Sequence, residues 1–355
     1  MSKEFIVPTG SIIKEYLDEL GMSQKECAKR IGSSEKHFSN IISGKSRLTE
    51  DVAIKLENVI QDAPASYWLN YEIKYREFKK REEAKLETYT NDQLEKLSKR
   101  FNFNAIFNGL DWSLSKQADE MLKLLRISDF EQFEAVYSDL SIDFMEDGGE
   151  KEAIAIWLNL AREEVEIQNK DIDEISYNKE KLMKSLSKFK KIALDSDYES
   201  SIKSARKLLN RLGVYLVFCD AITNSKVRGA LTTYRKHPAI FLSGRFKTHD
   251  HVWFALMHEI GHLLYHYITT DTPIISFEDE LELKEISTKE GEANEFARDF
   301  FIDIEDYKKF IEHQKFDRMN IEKFAETQQI LPGIVVARLQ RDGYLMYDQL
   351  NFLKT

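Results

Sequence analysis

Trp253-Phe-Ala-Leu-Met-His258-Glu259-Ile-Gly-His262-Leu-Leu-Tyr265 sets a His-Glu-x-x-His spacing inside an apolar run of helical period. Residues four apart stand one above the other on a helix, so His258 and His262 share a face and can share one ion. Imidazole nitrogen suits zinc, and Glu259 between the two has the position of a general base on a polarised water. Packed without a common ligand, two imidazoles and a carboxylate would lose their hydration in this helix for no return. The stretch implies a buried metal centre.

A catalytic zinc needs a third protein donor. Position 268 is Ile, which excludes a histidine six residues beyond His262, and His266 drifts off the shared face at eight residues from His258. The downstream helix Glu290-Gly-Glu-Ala-Asn294-Glu-Phe-Ala-Arg-Asp299 offers a carboxylate with a polar side chain one turn later. Glu290 is the expected ligand and Asn294 the expected partner that orients an imidazole. Glu292, on a different face, is the competing ligand, and the acidic run from Glu278 also permits a merely solvated helix. Ahead of the motif, Val214–Asp220, Gly229–Tyr234 and Ala239–Leu242 read as short strands, which predicts a three-stranded antiparallel sheet beside helices, the zincin-like arrangement. Tyr234, Tyr265, His251 and His266 are equivalent candidates for the oxyanion stabiliser.

The rest of the composition narrows the class. The chain has 355 residues, room for two or three domains, and a net charge of −10 that disfavours non-specific coating of nucleic acid or anionic membrane. Cys27 and Cys219 are the two cysteines, too few for a disulfide framework or a thiolate zinc site and in keeping with a cytoplasmic protein. No apolar stretch reaches bilayer-spanning length.

Residues 1–75 read as five short amphipathic helices with turns at Gly21, Gly32 and Gly44. Ser23 and Thr49 are expected caps, with Glu26 at the capping-box position. Helix, glycine turn, helix is the pattern of a DNA-reading unit. Between Met22 and Leu48 six basic residues face two acidic ones. The start of the third helix would enter the major groove, nominating Ser34, Glu35, Lys36, His37 and Asn40, with Gln24, Lys45 and Arg47 nearer phosphates. Residues 76–190 read as a helical connecting region, rich in charge and then in aromatic core residues, with no chemistry of its own. Residues 191–355 carry the metal motif. The expected fold is mostly α, with an α+β C-terminal domain.

These residues carry two resemblances. Gly21-Met-Ser-Gln-Lys-Glu-Cys-Ala-Lys-Arg-Ile-Gly32 with His37-Phe-Ser-Asn-Ile-Ile-Ser-Gly-Lys45 resembles the Cro/repressor-type helix-turn-helix, and the continuation to Tyr67-Trp-Leu-Asn70 resembles its HigA-like branch. Cys27 stands where leucine is usual. The stretch from Trp253 to Tyr265, the strand from Gly213, Glu292-Ala-Asn-Glu-Phe-Ala-Arg-Asp and Ile330-Leu-Pro-Gly-Ile-Val-Val-Ala-Arg-Leu-Gln-Arg-Asp-Gly343 resemble the ImmA/IrrE metallopeptidases. Asp303 and Ala337 depart from that family's usual proline and glycine, at positions that are not ligands. The second resemblance implies a Zn²⁺ (or Mn²⁺) endopeptidase that cleaves a helix-turn-helix repressor or antitoxin and derepresses phage, mobile-element or stress genes. On this reading the partners are a protein substrate, double-stranded DNA and a second copy of the chain, and a membrane is not among them. The alternative is a DNA-binding regulator or antitoxin whose metal domain senses or docks without proteolysis.

Overall fold

The computed structural model describes residues 7–87, 89–141, 150–245, 248–268, 272–277 and 288–354. Two compact units emerge, residues 1–92 and 93–355.

The first unit is built from α1 (Thr9–Glu19), α2 (Gln24–Arg30), α3 (Glu35–Ile42), α4 (Glu50–Val59) and α5 (Ala65–Glu87). Ser23 Oγ accepts the Glu26 N–H at 3.1 Å and Ser34 Oγ the His37 N–H at 3.2 Å, so each helix of the pair begins on a side-chain cap. The carboxylate of Glu26 pairs with Arg30 at 2.6 Å, one turn on along α2. Gly32, at φ +66°, makes the turn between α2 and α3 in a backbone region that costs other residues strain. Ile13, Leu17, Phe38, Ile41, Leu56 and Trp68 form the core, and Cys27 is fully buried among them as a small apolar group. Glu72 of α5, also buried, accepts from the Leu48 N–H at 3.3 Å and from Arg76 Nε at 2.7 Å, fastening α5 to the turn before α4.

In the second unit a helical stretch leads into the sheet: α6 (Asn91–Arg100), α7 (Phe103–Ile106), α8 (Leu114–Leu125), α9 (Phe133–Val136), α10 (Lys151–Glu163), α11 (Val165–Gln168), α12 (Lys179–Ile192) and α13 (Tyr198–Asn210). Strands β1 (Tyr215–Cys219), β2 (Val227–Tyr234) and β3 (His237–Ser243) precede the motif helix α14 (His249–Tyr265). Then come β4 (Ile274–Phe277), α15 (Thr288–Phe301), α16 (Ile304–Glu312), α17 (Arg318–Gln328) and α18 (Pro332–Arg341).

The sheet has four strands in the order β1-β3-β2-β4, with β1 parallel to β3 and the other pairs antiparallel. This corrects the three-stranded antiparallel expectation in two ways. The connection from β1 to β2 leaves a gap that β3 fills after a tight Arg235-Lys236 turn, both residues at positive φ, so β3 returns alongside β1 in the same direction. The fourth strand is only four residues long, too short for its alternation to register in the sequence.

Leu216, Leu231, Ile240 and Leu242 turn one face of the sheet toward α12–α15, α17 and α18, where Trp253, Leu256 and Ile260 of α14 are buried. Tyr215, Val217, Val227, Ala230 and Phe241 turn the other face toward Ile154 and Trp157 of α10 and Val165 of α11. Helices from the stretch read as a connecting region thus cover one side of the sheet that carries the metal motif. This second unit is a three-layer α/β/α body, and α14 lies against its centre.

Candidate metal centre and active site

The histidines are fixed first by helix geometry. His258 and His262 sit on one face of α14, with their Nε2 atoms 3.0 Å apart and both rings fully buried. Helix α15 crosses close to α14 because Gly261 leaves room: a Cβ there would lie 3.2 Å from the Ala293 Cα. That approach brings Glu290 to the imidazoles, with Oε2 3.1 Å from His258 Nε2 and Oε1 2.9 Å from His262 Nε2. His258, His262 and Glu290 are the group of metal-ligating side chains that converges among the described residues, their donor atoms within 4.8 Å of one another.

The donor set fits a divalent cation. Burial, reinforced by the Arg228 guanidinium, lowers the His258 pKa to about 3, so the ring is neutral and its nitrogen carries a lone pair. Burial alone would raise Glu290, but the two imidazoles outweigh it and hold the carboxyl well below the usual carboxylate range. Electron-pair donors aimed at one point repel unless a cation lies among them. Two nitrogens and one carboxylate is a set that zinc takes with a position left open.

Glu259 faces the sheet. A Cβ on Gly229 of β2 would lie 2.5 Å from its Oε1, so only glycine admits the carboxylate there. Ser276 of β4 donates to the same oxygen at 2.7 Å, while Oε2 has no hydrogen-bond partner among the described residues. Burial pushes the Glu259 carboxyl up to about 7, the range in which a base works at neutral pH.

Glu292 does not join the cluster. Its Oε2 lies 2.9 Å from His266 Nε2, and His266 Nδ1 lies 3.0 Å from His262 Nδ1. One proton arrangement satisfies the whole row: with His262 Nε2 free to ligate, its Nδ1–H donates to His266 Nδ1, and His266 Nε2–H donates to Glu292. Orientation of an imidazole therefore comes from His266 and Glu292. Asn294 was expected in that part, but it is buried with neither side-chain polar atom hydrogen-bonded among the described residues. The helix phase that delivers Glu290 turns Asn294 toward a neighbouring cavity. Of the oxyanion candidates, the Tyr234 hydroxyl is held by Glu166 at 2.7 Å, His251 Nδ1 lies 2.6 Å from Thr248 Oγ1, and the Tyr265 ring meets Phe296 edge to face. The acidic run from Glu278 lies outside the described residues.

Sequence reading missed Ser276, Gly229 and Arg228. An isolated glycine inside a strand pattern was the one available signal, since it marks a bulge or a close approach. Both occur here. Pairing with β4 slips between Val227 and Gly229, leaving Arg228 as the extra residue of a β-bulge. Val227 packs on the α10 side, and the bulge turns Arg228 to the α14 side, its guanidinium carbon 5.4 Å from the Phe254 ring centroid.

In the first unit, Lys36, His37, Lys45 and Arg47 are exposed, and Gln24 and Asn40 partly so. Ser34 is spent on the α3 cap, and Glu35 pairs with Lys25 at 3.2 Å across the α2–α3 pair. No helix among the described residues is long and apolar enough to cross a membrane.

Comparison with known proteins agrees with this division. Residues 13–67 match the helix-turn-helix family model, and residues 209–340 match the IrrE N-terminal-like domain, a metallopeptidase family. Over 61 residues (17% of the chain) it is 43% identical to the uncharacterized HTH-type transcriptional regulator YddM of Escherichia coli (strain K12), covering 64% of that protein. Over 60 residues (17% of the chain) it is 32% identical to virulence-associated protein A of Dichelobacter nodosus, covering 59% of it. The chain thus spans less than two thirds of the length of these curated relatives. The protein joins a helix-turn-helix domain to a domain of the ImmA/IrrE metallopeptidase family.

Proposed function

We propose that the chain is a regulatory zinc endopeptidase acting on a helix-turn-helix repressor or antitoxin, with its own helix-turn-helix engaging double-stranded DNA or the repressor. The observation that carries the reading is a buried His258–His262–Glu290 donor set beside a carboxylate whose pKa is raised to about 7. His258, His262 and Glu290 would hold the ion, with zinc favoured over manganese by the two nitrogen donors. Held there, a divalent ion would supply Lewis-acid polarisation to the scissile carbonyl and to the attacking water. Glu259 takes the proton of that water and returns it to the leaving amine, and Ser276 holds one of its oxygens in place. His266 and Glu292 fix the tautomer of His262. Lys36, His37 and Asn40 would reach base edges, and Gln24, Lys45 and Arg47 phosphates.

The test is E259Q, incubated metal-loaded with candidate repressors. Cleavage should vanish while metal content stays near that of wild type, and cleavage that persists would refute the assignment. The similarity of the first unit to an HTH-type transcriptional regulator favours a second reading, a DNA-binding regulator without proteolysis. Tight specific DNA binding with no cleavage of any repressor by the wild type would select it.

A further inference from the structure

Beside the metal cluster, on the Phe254 side of α14, lies a cavity of about 790 Å³, a size common among ligand pockets. Helix α15 turns Gly291, Asn294 and Arg298 to it, three or four residues apart, and α18 turns Ile334, Arg338 and Arg341. Gly291 directly follows the ligand Glu290, and Phe254 sits one turn before His258, ring centroids 6.4 Å apart. One end of the cavity therefore lies about one helical turn, roughly 5 Å, from the metal ligands.

The acidic residues on the wall already have cationic partners: Asp250 with Lys354 at 3.1 Å, Asp342 with Arg338 at 2.6 Å, and Glu295 with Arg298 at 3.4 Å. Other polar groups on it are unmet. Asn294 is 9% exposed, and neither its amide nitrogen nor its oxygen has a hydrogen-bond partner among the described residues. Ser243 Oγ, at the end of β3, and Gln340 Oε1 are equally buried and unpartnered there. The Gln340 amide cannot turn to relieve this, because its Nε2 donates to the Gln349 carbonyl at 2.8 Å and to Asn351 Oδ1 at 3.0 Å. Arg341 lies over Phe254, guanidinium carbon 4.7 Å from the ring centroid, and otherwise makes no hydrogen bond or ion pair among the described residues.

This mixture of groups defines the ligand. Asn294 Oδ1 and Gln340 Oε1 only accept, so they need N–H donors, which an oxyanion lacks. Asn294 Nδ2 and the Arg341 fork only donate, so they need carbonyl oxygens. A polypeptide main chain supplies one donor and one acceptor per residue. We propose that this cavity receives the main chain of the polypeptide substrate, with Asn294 pairing with the N–H and C=O of one residue and Arg341 donating to the carbonyl of another. The inference rests on the peptidase reading and names residues that hold the substrate for it. An extended chain advances about 3.3 Å per residue, so Asn294 meets it about two residues from the bond that faces the metal cluster. Neither contact reads a side chain, and both hold the chain in register.

The experiment titrates full-length, zinc-loaded E259Q with acetyl-tetraalanine amide, following the side-chain N–H signals of Asn294 and Arg341 by NMR. A parallel series uses the same peptide methylated at one backbone nitrogen at a time. Saturable shifts of both signals are expected, with at least tenfold weaker binding when one particular nitrogen is methylated. In the E259Q background N294L and R341M should each weaken the parent peptide at least tenfold, and N294L should abolish the penalty of that methylation, which a merely structural asparagine would not do. Absence of saturable binding overturns the proposal, as does indifference to methylation at every nitrogen, or saturable shifts of the same signals by inorganic phosphate alone. The methylation series decides even if N294L or R341M fails to fold. Repressor cleavage by the wild type that survives N294L and R341M sinks this proposal and spares the peptidase reading. Peptide binding as expected, with no cleavage of any repressor by the wild type, does the reverse.

Discussion

Ser276 Oγ donates to Glu259 Oε1 at 2.7 Å, joining the edge strand of the sheet to the motif helix through a buried hydrogen bond. The bond stabilises the ionised carboxylate against its burial. S276A should therefore raise the Glu259 pKa further, moving the acid limb of the cleavage pH profile upward. A loss of roughly tenfold in rate at neutral pH, about 1.4 kcal/mol, is expected. An unmoved acid limb would show that Ser276 only packs.

Gly229→Ala is expected to act on the same carboxylate by steric means. Its new Cβ would lie 2.5 Å from Glu259 Oε1 and 3.0 Å from Cδ. Displacing that side chain should cost about 1–3 kcal/mol of stability and remove activity, while metal content is kept. Thermal denaturation, metal analysis and cleavage assays on one preparation check all three.

With metal chelated, Glu259 should make the protein less stable as pH rises. Its carboxyl titrates near 4.5 when unfolded and is pushed up to about 7 when folded. The folded state therefore holds an extra proton between those values, and that advantage is lost as pH passes through 7. Relative to E259Q, the wild type should lose roughly 3 kcal/mol from acid to mildly alkaline pH. His258, lowered to about 3, acts in the opposite sense, gaining stability as pH rises, but it is common to both proteins. Denaturant titrations of the two chelated proteins across that range should diverge, and parallel curves would contradict the assignment.

Metal affinity should rank the carboxylates on α15. E290Q removes a donor and should lose most of the bound ion. E292Q and H266A disturb only the support of His262 and should weaken binding by about 10–100-fold. Competition against a chromophoric chelator measures all three, and equal loss in E290Q and E292Q would contradict the separate parts assigned to them.

On the helix-turn-helix, R47A should weaken DNA binding and lower the slope of affinity against salt by about 1. S34A should instead cost about 1 kcal/mol of stability through the α3 cap, a loss visible in melting without DNA. Anisotropy titrations at several salt concentrations separate the two effects.

What could be read from the sequence followed the range of the forces involved. The shared face of His258 and His262 is a property of one helix, so its period sufficed. The choice between Glu290 and Glu292 depends on how α15 is phased against α14, which the Gly261–Ala293 approach sets. Residue types alone left that choice open. The parallel pairing of β1 with β3 depends on which gap a later strand fills, a long-range matter with no local trace. Arg228 was hidden for a sharper reason: strict alternation places it on the face opposite Gly229, and only the slip against β4 turns both toward α14.

That slip makes chain length, as well as residue identity, a sensitive variable in this strand. Deleting Arg228 would restore plain alternation and remove the guanidinium beside Phe254, while deleting Gly229 would set the Arg228 Cβ against Glu259. Insertions and deletions among natural or engineered variants should therefore be absent from Val227 to Gly229.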